Sequence, residues 1–477
     1  MLFRCLRGNL GCGSSDKMKR REFIKSAAVV SAGIFLASCD GLPAGSRKIG
    51  PNDKINIAQI GFGRIAHYDL GETIKHDGCR IVAVADVDMN RARDGKKWIE
   101  SYYAKKSGKD NYLDVKVYQD YREMLHDKSI DAVIISTPDH WHAQPAIEAA
   151  LLGKDIYLQK PASLTIAEGR MMSDAVRKQK RILQIGSQQR ASAPWPQFKR
   201  VCELVRNGRI GELKHVQVGL GADPGCGEEP KMPVPANLNF DMWLGSTPLV
   251  DYTEKGVHPQ KGYGRPGWLR IENYGAGMIT GWGAHHIDIA HWGMGMEYSG
   301  PVEVEGEAEF PKTGLWNVHG KFTTHAKYAN GVTMEISSRF TNGVKFIGTE
   351  GWLFVSRGNA TVTASDPTSA SSNKRALDAG DPKILHSKIG DDEIKLYHSP
   401  EMHKNWLDCI RSRKEPVAPV EVGHRSCSAC LLNSIAMKLP RKLHWDPKKE
   451  KFINDDEANA MLSRPQRGPY GTTNIKL

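Results

Sequence analysis

Thirteen residues, Thr280-Gly281-Trp282-Gly283-Ala284-His285-His286-Ile287-Asp288-Ile289-Ala290-His291-Trp292, place three histidines and an aspartate within one helix length of chain. Imidazoles and a carboxylate this close could ligate a metal, move a proton, or lie buried in an ordinary helix. At helical spacing His285, Asp288, Ile289 and Trp292 share a face, while His291 falls nearly opposite. A metal needs three or four converging ligands. Only His285 and Asp288 converge, so no metal is expected. For acid–base work, a partner carboxylate would raise the histidine pKa and orient its ring. That chemistry needs a second reactant, and the other end of the chain offers one.

Ile55-Asn56-Ile57-Ala58-Gln59-Ile60 reads as a buried strand and runs straight into Gly61-Phe62-Gly63-Arg64-Ile65-Ala66, after which a helical pattern begins. Strand, G-x-G-x-x-A and helix in that order form the dinucleotide fingerprint. Glycine at 61 allows the tight turn, glycine at 63 lets backbone approach a pyrophosphate, and the helix N-terminus faces its charge. A second strand over 80–85 ends at Asp86, placed to accept the ribose hydroxyls of NAD and to repel the extra phosphate of NADP. Gly61, Phe62, Gly63, Arg64, Ile65 and Asp86 are therefore candidate cofactor contacts, with NAD the cofactor.

The strand–helix alternation continues through 115–118, 121–126, 131–136, 155–158 and 182–186. Its strands end in polar clusters: Thr137 to His142, Gln159-Lys160, and Ser187-Gln188-Gln189-Arg190. In open parallel sheets ligands bind at the carboxyl ends of strands, so Gln188 and Arg190 join the candidates, the first for cofactor and the second for substrate. At this point the chain resembles one family. Thr137-Pro138…His142, the run Ala143 to Lys154, and Gln159-Lys160-Pro161 resemble the glucose–fructose oxidoreductase / inositol dehydrogenase / rhizopine-catabolism (Gfo/Idh/MocA) family, and the likeness extends from residue 54 over nearly all of the chain. The resemblance implies that Lys160 contacts both nicotinamide ribose and substrate, and that Thr137, Pro138 and His142 line the nicotinamide half of the cleft. It also implies a catalytic lysine–aspartate–histidine group. Here Lys160 and His285 match the lysine and the histidine. Gln159 stands where the family carries an acid, and Gly281 where it carries the catalytic aspartate. Asp288 matches a structural aspartate, and Asp288 or His286 could act at the substrate instead.

From about residue 187 the rhythm changes. Runs at 215–221, 302–310, 320–328 and 332–340 read as strands, with Asn330-Gly331 and Asn342-Gly343 as turns between them. Such turns imply antiparallel neighbours. The fold expected is α/β: an N-terminal Rossmann dinucleotide-binding domain (54–186), then an α+β domain with a largely antiparallel open sheet (187–447) and a C-terminal tail (448–477). By the resemblance, the outer face of that sheet makes a homo-oligomer contact. A long insert carries Trp243, Tyr252, His258, Tyr263, Arg265, Trp268, Arg270 and Tyr274. Flat aromatic faces beside polar groups suit sugar rings and equally suit pinning a loop to a core. Tyr263, Trp268 and Arg270 are the substrate candidates from this insert.

The whole chain, 477 residues with net charge +12, is long enough for two domains and carries no basic block. Residues 1–38 hold seven Lys/Arg against two acids, so +5 of that charge is local to them. A nucleic-acid partner is not expected. Those residues read as an exported leader (1–39) followed by a linker (40–53), with Met18 as the start. Arg20-Arg21-Glu22-Phe23-Ile24-Lys25 resembles a twin-arginine signal. The apolar run after it is too short to span a bilayer, and Leu36-Ala37-Ser38-Cys39 resembles a lipoprotein box with Cys39 as the lipidated residue. The expected location is the periplasm, with membrane contact only through that anchor. Cys427 and Cys430 sit at helical spacing among apolar residues, as core thiols do.

A periplasm holds no nicotinamide pool, so an exported enzyme must carry its cofactor and return it to its starting state. Three readings follow. The first is an oxidoreductase acting on a sugar or glycoside hydroxyl with tightly held NAD. The second is an NAD-dependent glycosidase that works by transient ring oxidation and elimination. The third is a non-catalytic sugar-binding lipoprotein with a relict cleft.

Overall fold

Short runs that are apolar on both faces, the mark of parallel strands covered by helices, make the first sheet. In the computed structural model, which describes residues 49–50, 52–358 and 376–477, these are β1 (Ile55–Ile60), β2 (Cys79–Ala85), β3 (Lys116–Tyr118), β4 (Ala132–Ile135), β5 (Asp155–Leu158) and β6 (Leu183–Ile185). The leader, Met18 and Cys39 lie outside the described residues. All four residues of β4 and of β5 are buried. The strand order is β3-β2-β1-β4-β5-β6 with every neighbouring pair parallel. The order reverses between β1 and β4, and a doubly wound sheet opens its ligand crevice there. Asp88 caps the helix Met89–Ser107 by accepting from Asn90 and Arg91 N–H, and Thr165 and Glu168 form a reciprocal capping box on Ile166–Lys178.

The second sheet comprises β7 (Leu213–Gly219), β8 (Glu303–Ala308), β9 (Phe322–Lys327), β10 (Thr333–Ser337), β11 (Gly343–Gly348), β12 (Trp352–Val355), β13 (Leu377–Ala379), β14 (Leu443–Asp446) and β15 (Lys451–Phe452), in the order β13-β12-β11-β7-β10-β9-β8-β14-β15. Asn330-Gly331 does close a hairpin: β9 and β10 are antiparallel, and Gly331 takes the left-handed φ of 87° the turn requires. Asn342-Gly343 does not. β7 inserts between β10 and β11, parallel to the first and antiparallel to the second. The chain from β10 to β11 crosses the end of β7 at Gly219, where a Cβ would overlap the Thr341 carbonyl. Only glycine permits that crossing.

The histidine-rich stretch forms a short helix, Met278–Gly281, broken at Trp282 from a second, Gly283–Met294. Every residue of the second helix is buried. It lies against helix Gln197–Arg206, helix Val420–Lys438 and β7, at the centre of the second domain. The chain after β15 returns to the nucleotide-binding domain. Gly471 N–H donates to Gln144 Oε1 at 2.7 Å, Tyr470 meets Trp141 edge-on, and Arg464 pairs with Glu168. No helix among the described residues is long and apolar enough to cross a membrane.

Candidate functional site

The crevice at the reversal point is lined by the glycine loop, Asp86, Thr137-Pro138-Asp139, Gln159-Lys160 and part of the insert, Pro259 to Leu269. Gly61 has φ of 80°, and a Cβ there would stand 3.0 Å from the Ser136 carbonyl oxygen. Gly63 faces open space, with only the Arg91 guanidinium reaching 4.0 Å. Asp86 accepts from the backbone N–H of Phe62 at 2.7 Å and of Asp88 at 2.8 Å. These bonds aim the carboxylate at the cleft. Burial raises its pKa, against the pull of His258 and Arg91. A cradle whose glycines leave room for a pyrophosphate, beside a fixed carboxylate for ribose, fits NAD. Arg64 and Ile65 also line it. Phe62 contributes backbone only: its ring is buried against Gly95 and His67.

The insert closes over this end. Arg91 Nη2 donates to the Pro259 and Gly262 carbonyls at 2.9 and 3.2 Å, His258 Nε2 meets Asp88 Oδ2 at 3.0 Å, and Tyr263 Oη donates to Asp94 at 3.1 Å. Tyr263, a substrate candidate by sequence, is instead packed against His67 and beneath Arg91 and is not among the residues lining the cleft. Trp268 lines the cleft. Arg270 does not. It is buried between Asp223 and the Trp316 ring. Trp243, Tyr252 and Tyr274 form a separate small core with Leu238, Leu244 and Ile271, so these aromatics anchor the insert.

At the nicotinamide end Lys160 Nζ donates to the Gly281 carbonyl at 3.0 Å. The residue that lacks the family's carboxylate thus meets the lysine through its backbone. A Cβ at Gly281 would meet nothing within 4 Å. His285 is buried, and desolvation, together with the nearby Arg357 and Lys160 cations, holds its pKa well below the ordinary value. Arg357 is itself buried over the Trp195 and Trp282 rings, at 4.0 and 4.8 Å, and burial lowers it to about 9. His142 is pinned between two carbonyls, those of Pro161 at 2.6 Å and Thr137 at 3.0 Å. Burial brings it down to about 4, against the pull of both carbonyls, and the neutral ring has one N–H to donate to one of them.

Gln159 resolves differently from its sequence reading. Its Nε2 donates to Asp69 Oδ1 at 2.7 Å, and Asp69 also accepts from Ser136 Oγ at 2.8 Å. Asp69 is fully buried and sits 3.5 Å from His403 Nε2. The acid absent at 159 is present one hydrogen bond deeper. Burial of His403 opposes its charge, but Asp69 and Glu401 outweigh this and raise it to about 8.

Four further sequence candidates fall elsewhere. Arg190 and Asp288 form a doubly hydrogen-bonded ion pair at 2.6 and 2.9 Å, each 1% exposed, with Glu297 and Ser426 completing it. They hold the helix in place, and neither is among the residues lining the cleft. His286 stacks on Trp282 and bonds Asn342 at 2.9 Å, fully buried. Gln188 is buried and is not among the residues lining the cleft. Helical spacing identified the shared face of His285 and Asp288, but not that Arg190 waits opposite it. Residues without a role in the sequence reading include Asp139, inside the Thr137–His142 run, His258, noted only as part of the insert, and Arg91, Asp69 and Arg357, which carried no local signal.

Two family descriptions match the chain: "Oxidoreductase family, NAD-binding Rossmann fold" over residues 55–187 and "Oxidoreductase family, C-terminal alpha/beta domain" over 223–357 and 381–472. An uncharacterized oxidoreductase, YrbE of Bacillus subtilis, is 34% identical over 152 residues, covering 32% of this chain and 40% of the relative. A glycosyl hydrolase family 109 protein of Stenotrophomonas maltophilia is 30% identical over 218 residues, 43% of each chain. The chain spans about half the length of the curated relatives it matches. Among solved structures, the WlbA dehydrogenase of Bordetella pertussis, in complex with NADH and UDP-GlcNAcA, superposes with a TM-score of 0.56 at 16% identity, over 82% of this chain and 99% of that one. That likeness is one of fold.

Proposed function

The chain belongs to the Gfo/Idh/MocA family of NAD-binding oxidoreductases, and from that premise we propose that it oxidises a hydroxyl of a sugar or glycoside with NAD held in the cleft. Bound nicotinamide supplies a hydride acceptor. The protein's own groups supply the rest. Lys160, beside Gly281, presents an ammonium to the reacting hydroxyl and stabilises charge developing on its oxygen. His285, kept neutral by burial and its cationic neighbours, offers a lone pair that orients the same hydroxyl. Trp268 walls the cleft. The observation that carries this reading is the placing of Lys160 at one end of a cleft whose other end is the glycine loop and Asp86.

A glycosidase that oxidises transiently and takes the hydride back is the second reading. The pinned insert favours it: Arg91, His258 and Tyr263 tie residues 258–263 across the cofactor end, so nucleotide leaves only if these contacts break. A retained cofactor suits a reaction with no net redox change, and suits export in the folded state through the leader proposed at residues 1–39. The similarity to family 109 proteins points the same way. The test is to denature the purified protein, identify the nucleotide released, and assay glycosides with the intact protein. Free sugar without reduced cofactor supports the glycosidase, and a stable oxidised sugar supports the oxidoreductase. A cleft that neither carries nor takes up NAD refutes both.

A further inference from the structure

A proton abstracted at Lys160 needs a destination, and the groups around the lysine limit the choices. His285 is a poor one: buried between Arg357 and Lys160, its imidazolium is disfavoured. Gln159 and Gly281 carry no acid. Among the residues lining the cleft two bear carboxyls, Asp86 and Asp139. Asp86 belongs to the ribose end, with both oxygens already held by backbone N–H groups. Asp139 stands at the nicotinamide end, between Pro138 and the buried His140. It is 5% exposed. Among the described residues no other residue hydrogen-bonds its carboxyl, and Lys160 is the charge that acts on it. Gly275 leaves it room: a Cβ there would lie 3.4 Å from Asp139 Oδ2. From helix Val420–Lys438 the titratable group facing it is the Cys427 thiol, which burial pushes up to about 11 and so keeps neutral.

A buried carboxyl, otherwise unpartnered, at the wall of a ligand cleft is not explained by packing. We infer that Asp139 is the proton partner of Lys160, standing in for the acids missing at 159 and 281. This rests on the oxidoreductase reading for its chemistry. In the step, the substrate C–H bond breaks and its electron pair leaves with the hydrogen as hydride to the nicotinamide ring. Lys160 takes the hydroxyl proton while one of its own passes through a bridging water to the Asp139 carboxylate on the same cleft wall, so its charge is unchanged. The carbon is oxidised to a carbonyl, the nicotinamide is reduced, and the return reaction retraces each transfer. Burial pushes the Asp139 carboxyl up to about 7, against the pull of Lys160, so it can both take and return a proton near neutrality.

The test compares the wild-type holoprotein with Asp139→Asn in three readouts: NAD retained per chain, the single-turnover rate of bound-cofactor reduction against pH with a glycoside panel, and the Lys160 titration. The last is followed by carbon NMR of methylated lysines, assigned with Lys160→Arg. Expected are unchanged NAD, a rate lower by about 100-fold, loss of the rise through about pH 7, and a Lys160 midpoint lower by about one unit. A variant with the wild-type rate and pH profile, or with an unmoved Lys160 midpoint, overturns the inference. A wild type that reduces no cofactor while the variant still shifts Lys160 leaves the pairing and refutes the oxidoreductase reading. If Asp139→Asn does not fold, carbon-labelled aspartate in the wild type must show a carboxyl titrating near neutrality that moves in Lys160→Met; its absence overturns the inference equally.

Discussion

Substituting Gln159 by Glu restores the acid found at this position elsewhere in the family, and here it should harm the protein in a pH-dependent way. The amide nitrogen now donates to Asp69 Oδ1 at 2.7 Å, with Asp69 fully buried and Gln159 3% exposed. Gly186 walls the amide: a Cβ there would lie 3.1 Å from Nε2, so the new carboxylate cannot swing away. Two buried carboxyls at this distance share one proton, and burial beside a like charge raises the acid that keeps it by about 3 units. The added acid should then titrate about 3 units above its unfolded value of roughly 4.3. Its folded pKa is raised, so the variant matches wild type most closely below about pH 4 and loses stability as pH rises through about 7. At about 1.4 kcal/mol per unit, the loss reaches about 4 kcal/mol at pH 8.5 and about 1 kcal/mol at pH 5. Urea unfolding followed by tryptophan fluorescence, at both pH values, measures the gap. Gln159→Met is the control. It removes the donor without adding charge, and should cost about 2 kcal/mol at either pH. Coincident curves for Gln159→Glu and wild type at pH 8.5 would refute the claim that the side chain at 159 is held against Asp69.

Three more outcomes follow from the same geometry. His403 is held charged by Asp69 and Glu401 with its pKa raised to about 8, so its stabilisation is complete below about pH 6.5 and lost as pH rises through 8; wild type should lose about 2 kcal/mol more than His403→Gln between pH 6 and 9.5, measured by the same unfolding curves. Asp288→Asn leaves Arg190, 1% exposed, with half its partners, and should cost about 3–5 kcal/mol while the protein that stays folded keeps its NAD; reduced glycoside affinity at unchanged stability would instead make Asp288 a substrate residue. Gly281→Asp should fold, because a Cβ there meets nothing within 4 Å, and should raise the His285 pKa by bringing a carboxylate beside Lys160. Histidine NMR checks this, and an unmoved His285 would place the new side chain elsewhere.

What was legible in the sequence is what local physics writes into it. Runs such as 55–60 and 132–135 are apolar on both faces because they are covered on both, so their place in a parallel sheet could be read directly. Gly61 and Gly63 follow a strand and precede a helix, which is all the dinucleotide turn needs. Asn330-Gly331 closes a two-strand turn whose geometry is complete within four residues. Long-range placement was not legible. That β7, more than a hundred residues earlier in the chain, inserts between β10 and β11 depends on sheet neighbours that no local pattern encodes, and Asn342-Gly343 accordingly reads like a hairpin turn without being one.

The site divides along the same line. Residue types at 61, 63 and 86 marked a nucleotide cleft, since that chemistry demands them, while Lys160 and His285 were singled out by the family resemblance. Periodicity told that Asp288 would share a face with His285 but not that Arg190 would meet it. Two acids were seen to be missing, at 159 and 281, by the resemblance to the family's motif. Asp69, one hydrogen bond behind Gln159, and Asp139, at the wall beside Lys160, became visible only once the chain had folded. Hydrophobic pattern determines which positions leave water; which charges then face one another is decided by packing between elements distant in sequence.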